Sequence, residues 1–202
     1  MKYQSEYGED AWIHANIDLP KRGFYVDIGA MRPDANSNTA FLRETGWHGI
    51  AIDGHPECAE HWRNVPNARF LWAVITDSER LVGFDLDAGN GPCARIVEPE
   101  RSNRITVSPK CALEFFNAIP LGDALAGVHQ IEFLSIDIEG EEFNAMKTFD
   151  FERFRPRVIV AEYATLMRDG SVKEDFRVRD LLLANGYKEV HRTVANIIYT
   201  NA

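Results

Sequence analysis

No two cysteines stand close together in this chain: Cys58, Cys93 and Cys111 are odd in number and form no Cys-x-x-Cys. That spacing excludes a disulfide frame and a zinc-ribbon site, and it reads as reduced intracellular thiols. No apolar run reaches membrane-spanning length, and the opening MKYQSEYGED is polar where a signal peptide would be apolar. A basic stripe is missing too. With 22 Lys+Arg against 31 Asp+Glu the formal net charge is −9, which argues against a nucleic-acid partner held through phosphates. Internal repeats and low-complexity linkers are absent. The expectation is a single cytoplasmic domain over residues 1–202, with neither a membrane nor a nucleic-acid partner.

Glycine is scarce where a dinucleotide fold needs it. The stretch FYVDIGAMRPDANSNT, from Phe24 to Thr39, begins as a nucleotide-binding turn: an apolar run, then Asp27, then Gly29. The later glycines of GxGxxG are replaced by Met31, Arg32 and Pro33. Those glycines let the backbone approach a pyrophosphate, so their loss argues against a nicotinamide-dependent oxidoreductase.

What is present is an alternation of short apolar runs and amphipathic stretches, the rhythm of a mostly parallel α/β sheet. Strands are expected at Phe24–Val26, Gly49–Ile52, Phe70–Ile75, Ile131–Ile136 and Arg157–Ala161, with weaker candidates at Leu81–Leu86 and Ile105–Val107 around a Gly89–Pro92 turn. Helices are expected over Thr39–Thr45, from Pro56 toward Asn64, over Ala112–Ile119, through Phe143, Met146 and Phe149, and through Val178, Leu181 and Leu182. The tail, Tyr187–Thr200, reads as an antiparallel hairpin around Val194-Ala195-Asn196. The Phe/Met stripe and His14, His48, His61 and His129 read as ordinary core or surface residues.

Four apolar runs finish on a carboxylate: Asp27, Asp53, Asp137 and Glu162, three of them followed within three residues by glycine. Each alone could cap a helix or hold a loop N–H. Together they point to one crevice, because open parallel sheets bind ligands outside the carboxyl ends of their strands. Asp53 lies where an acid grips ribose hydroxyls, a little over twenty residues past the first turn. A ribose without phosphates, in an acidic pocket that complements a cation, fits S-adenosylmethionine.

The chain resembles the FkbM family of class I S-adenosylmethionine-dependent methyltransferases. The resemblance rests on SEYGEDAWI, FYVDIGAMRPDANSNTAFLRETGWHGIAIDGHPE, IEFLSIDIEGEEFNAMKTFDF, RPRVIVAEY and NGYKEVHRT, in that order. Two differences stand out: Glu6 replaces the usual glutamine, and Asp53-Gly54-His55-Pro56 replaces Glu-Pro-x-Pro. The resemblance implies a Rossmann-like, seven-stranded, mostly parallel sheet with an antiparallel C-terminal strand and helices on both faces. It implies that Asp27, Gly29 and Ala30 line the methionine moiety with Ser37, Asn38 and Thr39 close by. Asp53, followed by Gly54, would hold the ribose, Ala73 and Val74 would flank the adenine, and Asp137 would face the sulfonium.

Methyl transfer to a hydroxyl needs alignment and removal of the hydroxyl proton. Candidates for that proton are Asp137, Glu139, Glu162 and His191. The alternative is a divalent cation held by Asp137, Glu139 and Glu162; the base is favoured and no metal ligand is assigned. Tyr7, Trp12 and Trp47 are offered as an acceptor wall, with core packing as the alternative. The expected acceptor is a hydroxyl on a small molecule or glycan. The competing expectation is a non-catalytic module that binds a nucleoside or a partner.

Overall fold

A computed structural model describes residues 2–86, 94–97, 113–166 and 170–201. In chain order the elements are α1 (Glu9–Asn16), β1 (Phe24–Ile28), α2 (Ala40–Glu44), β2 (His48–Asp53), α3 (Cys58–Trp62), β3 (Ala68–Trp72), β4 (Val74–Thr76), β5 (Arg80–Asp85) and β6 (Arg95–Val97). They continue with β7 (Leu113–Pro120), α4 (Leu121–Ala124), β8 (Phe133–Ile136), α5 (Glu142–Met146), β9 (Val158–Glu162), β10 (Ala164–Leu166), β11 (Val172–Glu174), α6 (Arg177–Ala184), β12 (Lys188–Arg192) and β13 (Asn196–Thr200).

Seven strands form the main sheet in the order β12-β13-β9-β8-β1-β2-β3. The pairs among β9, β8, β1, β2 and β3 are parallel, and β13 runs antiparallel to both neighbours. This is the seven-stranded, mostly parallel architecture that the resemblance implied, hairpin tail included. The central strands are apolar on both faces, as a sheet covered on both sides requires. Val26, Ile28, Ile52, Leu134, Ile136 and Ile159 face one layer, which Met146 of α5 and Val178 and Leu182 of α6 complete. Tyr25, Phe133, Val158 and Val160 face the other, against Ile13 of α1 and Phe41 and Leu42 of α2.

Two expectations are corrected, and one element was not anticipated. The Phe70–Ile75 run is split at Ala73: β3 stays in the main sheet, whereas β4 leaves it to pair with β7. Residues 113–120, expected to be helical, are the longest strand of a second sheet ordered β4-β7-β5-β6. LEFFNAIP is an apolar run whose periodicity does not separate buried helix from strand, and its β-sheet partner β5 decides the outcome. The β10–β11 hairpin has no counterpart in the sequence reading. The Gly89–Pro92 turn, the Ile105–Val107 strand, Cys93 and Cys111 lie outside the described residues; Cys58 is a buried free thiol.

The second sheet is tied to the first through α5. Thr76 Oγ1 donates to Glu141 Oε2 at 3.0 Å, and the Lys147 ammonium lies 2.6 Å from Asp77 Oδ2. Lys147, helped by Arg80 and Ser78, holds the Asp77 carboxyl well below its ordinary 3.8. A depressed acid stabilises the fold above its ordinary pKa, and that contribution disappears as pH falls through the folded value. Lys147→Met is therefore expected to lower stability by up to about 1 kcal/mol near neutrality, partial exposure keeping it small. In urea unfolding at a series of pH values the deficit shrinks as pH drops below about 4.

Candidate active site

Strand register sets the site. Ile28 pairs with Ile52 and Ile136, Ile136 pairs with Ala161, and Glu162 pairs with Asn196. One residue further along, Asp53, Gly29, Asp137, Glu162 and Asn196 therefore fall into a row across the carboxyl rim. Gly29 closes β1 with a φ of 78°, and a Cβ there would lie 1.7 Å from the carbonyl oxygen of Asp137. Only glycine permits that approach.

Above the row is a cavity of about 480 Å³, within the range of about 300–1,000 Å³ typical of small-molecule sites. Of the residues read from sequence, Gly29, Asn38, Asp53, Gly54, Ala73, Val74, Asp137, Glu139 and Glu162 line it. One wall is apolar, made of Ile52, Ala73, Val74, Phe84 and Ile96. The second sheet supplies Phe84, Arg95 and Ile96, and Ala94 just before β6 joins them, none of them anticipated. The opposite end is acidic.

Asp53 is held by its own turn. Its Oδ2 accepts the Met31 N–H at 2.8 Å and its Oδ1 the His55 N–H at 2.7 Å. Burial raises its pKa, and those two N–H groups oppose the rise. Gly54 has to be small, because a Cβ there would meet Val74 at 2.6 Å.

The acids at the ends of β8 and β9 converge with a third that sequence reasoning missed. One oxygen each from Asp137, Glu142 and Glu162 lies within 4.8 Å of the others. Glu142 sits in the first turn of α5 and folds back on the preceding turn. Its Oε1 accepts Ile138 N–H at 2.8 Å and Gly140 N–H at 3.1 Å. That turn needs left-handed residues at Glu139 and Gly140, φ 58° and 108°. The signal was the doubled acid of IEGEE, which also reads as helix N-terminal charge. Glu162 is 6% exposed, and among the described residues its Oε2 has no hydrogen-bond donor. Burial, then the charges of Asp137 and Glu142, push its pKa up to about 12. Burial and the charges of Glu139 and Glu142 also raise Asp137 well above its ordinary value.

The N-terminal segment closes the acidic end. Glu9 Oε1 accepts from Thr193 Oγ1 at 2.8 Å and from Asn196 Nδ2 at 2.9 Å, while Asp10 holds Ser5 through both backbone and hydroxyl. Glu6 and Tyr7 are thereby placed in the cavity wall.

Other expected residues lie elsewhere. Asp27 does not end its strand, which runs on to Ile28, and it does not line the cavity. It is buried beneath α2 and accepts Thr39 Oγ1 at 2.6 Å; burial raises its pKa, and Thr39 and Arg43 oppose the rise. Ala30, Ser37 and Thr39 are buried outside the cavity lining. His191 stacks on Trp12 at 4.3 Å and is absent from the lining, because the β12–β13 pairing holds it away from the rim row. Trp47 is core packing against Gly23. Of the three proposed aromatic walls only Tyr7 lines the cavity.

The sequence model of the Methyltransferase FkbM domain matches residues 27–189. The chain belongs to the FkbM methyltransferase family. Its fold is similar to that of methyltransferase FkbM from Methylobacillus flagellatus KT, with a TM-score of 0.60 and 12% identity, over 98% of this chain and 48% of that one. It thus spans about half the length of that relative. Looser likenesses are to precorrin-6y C5,15-methyltransferase from Geobacter metallireducens GS-15 (TM-score 0.46, 12% identity, 95% and 87% of the two chains) and to a fibrillarin/Nop5p complex (0.48, 12%, 97% and 80%). No curated protein matches the chain. Among the described residues no helix is long and apolar enough to cross a membrane.

A raised acid stabilises the fold below its ordinary pKa, and that contribution is lost as pH climbs toward the folded value. For Glu162 the window opens at its ordinary 4.5. With chelator present, Glu162→Gln is expected to gain on the parent protein by on the order of 1 kcal/mol per pH unit between about pH 5 and about pH 8. Thermal unfolding of the two proteins across that range checks it.

Proposed function

We propose that this chain is an S-adenosylmethionine-dependent O-methyltransferase acting on a hydroxyl of a small molecule or glycan. The observation that carries it is the rim row, which sets a fixed acid beside an apolar wall at one end of the cavity and a carboxylate cluster at the other. The cavity fits an adenosyl sulfonium on chemical grounds. Asp53, oriented by two N–H bonds, keeps lone pairs for two ribose hydroxyls. Ile52, Ala73, Val74 and Phe84 offer an adenine wall. Gly29 lies between Asp53 and Asp137 in the rim row and Asn38 lines the same cavity, polar and close-approach groups suited to the amino-acid tail. A pyrophosphate would meet acids here and no glycine cradle.

When bound, S-adenosylmethionine supplies a methyl group on cationic sulfur. The chain contributes alignment, exclusion of water and a place for a proton. Asp137 and Glu139 are the lining carboxylates that can take the hydroxyl proton, and the raised affinity of Asp137 for a proton suits it to that weak acid. Without a cation, burial and the neighbouring carboxylates favour the protonated form of Glu162, which then orients rather than accepts. The second sheet and the Glu6–Tyr7 strap cover the two ends of the cavity.

Isothermal titration with S-adenosylhomocysteine tests the donor half. One site per chain is expected, and Asp53→Ala weakens it by about 10- to 100-fold, the worth of hydrogen bonds to a charged group. Absence of binding at millimolar ligand overturns the proposal. Transfer of labelled methyl to a panel of hydroxyl acceptors, against amine acceptors, tests the other half; methylation of amines alone rejects the O-methyl assignment.

A further inference from the structure

We propose that Asp137, Glu142 and Glu162 form a binding site for one hard divalent cation of the magnesium or calcium kind. The three carboxylates come from separate pieces of chain: the turn after β8, the first turn of α5 and the end of β9. One oxygen from each lies within 4.8 Å of the other two. Oxygens on opposite sides of an ion at 2.0–2.6 Å are about 4–5 Å apart, so the spacing accommodates a cation at its centre.

An acidic cluster alone would mean little; the burial and hydrogen bonding of this one mean more. Glu162 is 6% exposed, and among the described residues its buried Oε2 has no hydrogen-bond donor. Glu142 is 5% exposed, and its carboxylate is aimed by the Ile138 and Gly140 N–H groups, the kind of outer support that orients metal ligands. Beside Glu162 across the β9–β13 ladder stands Asn196, whose amide nitrogen is held by Glu9 and whose buried Oδ1 likewise has no partner among the described residues. Two orphaned oxygens thus sit on directly paired residues that line the same cavity. Gathering three carboxylates in so small a volume is unfavourable unless a cation or protons offset their repulsion. No histidine or cysteine belongs to the cluster, so the donor set selects hard cations over zinc or copper. Asp137 and Glu162 open onto the cavity, which gives an ion a way in.

Binding of the cation stands independently; its role rests on the methyl-transfer reading. In that role it would seat the acceptor hydroxyl and make it more acidic, leaving Glu139 to receive the proton.

Chelator-stripped protein titrated with manganese(II) chloride, followed by the electron paramagnetic resonance of free ion, tests the site. One Mn²⁺ per chain, displaced by magnesium or calcium, is expected. Glu162→Gln weakens it at least tenfold with unchanged far-UV circular dichroism, whereas exposed Asp34→Asn leaves it alone. No stoichiometric binding to the parent protein at millimolar Mn²⁺, or equal binding by folded Glu162→Gln, overturns the site. Should Glu162→Gln fail to fold, the parent titration and Asp137→Asn decide. Parallel titration with S-adenosylhomocysteine separates the two proposals. Mn²⁺ binding without nucleoside binding keeps the cation site and removes the methyl-transfer reading, and the converse removes the cation site alone.

Discussion

Gly29 and the carbonyl of Asp137 stand closer than any side chain would allow, and the whole rim is built on that approach. The turn after β1 and the turn after β8 leave the sheet side by side, with the Asp137 N–H bonded to the Ile28 carbonyl at 2.9 Å. Gly29 and Ala30 in turn donate to the Ile52 carbonyl, so three strand ends are locked level. Parallel register then carries the alignment outward to Asp53 on one side and to Glu162 and Asn196 on the other. A Cβ at Gly29 would separate the strands at the point where their acids have to converge.

Convergence of like charges is costly in a poorly solvated place, and the structure distributes that cost unevenly. Asp53 is compensated by two backbone N–H groups. Glu9 is compensated by a hydroxyl and an amide, and Glu142 by the turn it organises. Among the described residues, Glu162 keeps a buried oxygen without a donor, beside the carboxylates of Asp137 and Glu142. Compensation is therefore met at Asp53, Glu9 and Glu142 and falls short at Glu162. Polarity that is satisfied builds the frame, and polarity left unsatisfied is available to ligands.

Much of this was legible in the sequence because β-strand ends are marked by chemistry. Asp53, Asp137 and Glu162 each follow an apolar run and fall where the register places them. Asp27 misled because it looks like a strand terminus while β1 continues to Ile28, and Thr39, brought over by α2, takes up its carboxylate. His191 is a reactive residue type on a strand whose pairing keeps it away from the rim, a fact of tertiary register that no local pattern contains. Glu142 was overlooked for the opposite reason. Its location in a first helical turn has an ordinary explanation, and only the folded turn reveals the carboxylate bent back onto its own loop. The wall given by Phe84 and Ile96 depends on β4 leaving the main sheet at Ala73, a choice made by pairing with β7.

The bonds from Glu9 to Thr193 and Asn196 span more than 180 positions of the sequence. Loop-closure entropy makes such contacts late ones. Strands β1 to β3 can assemble from neighbouring segments, but the acidic end is sealed only after the final hairpin docks. The Asp53 side of the rim thus rests on neighbouring strands, and the Glu162 side on contacts between the first helix and the last hairpin.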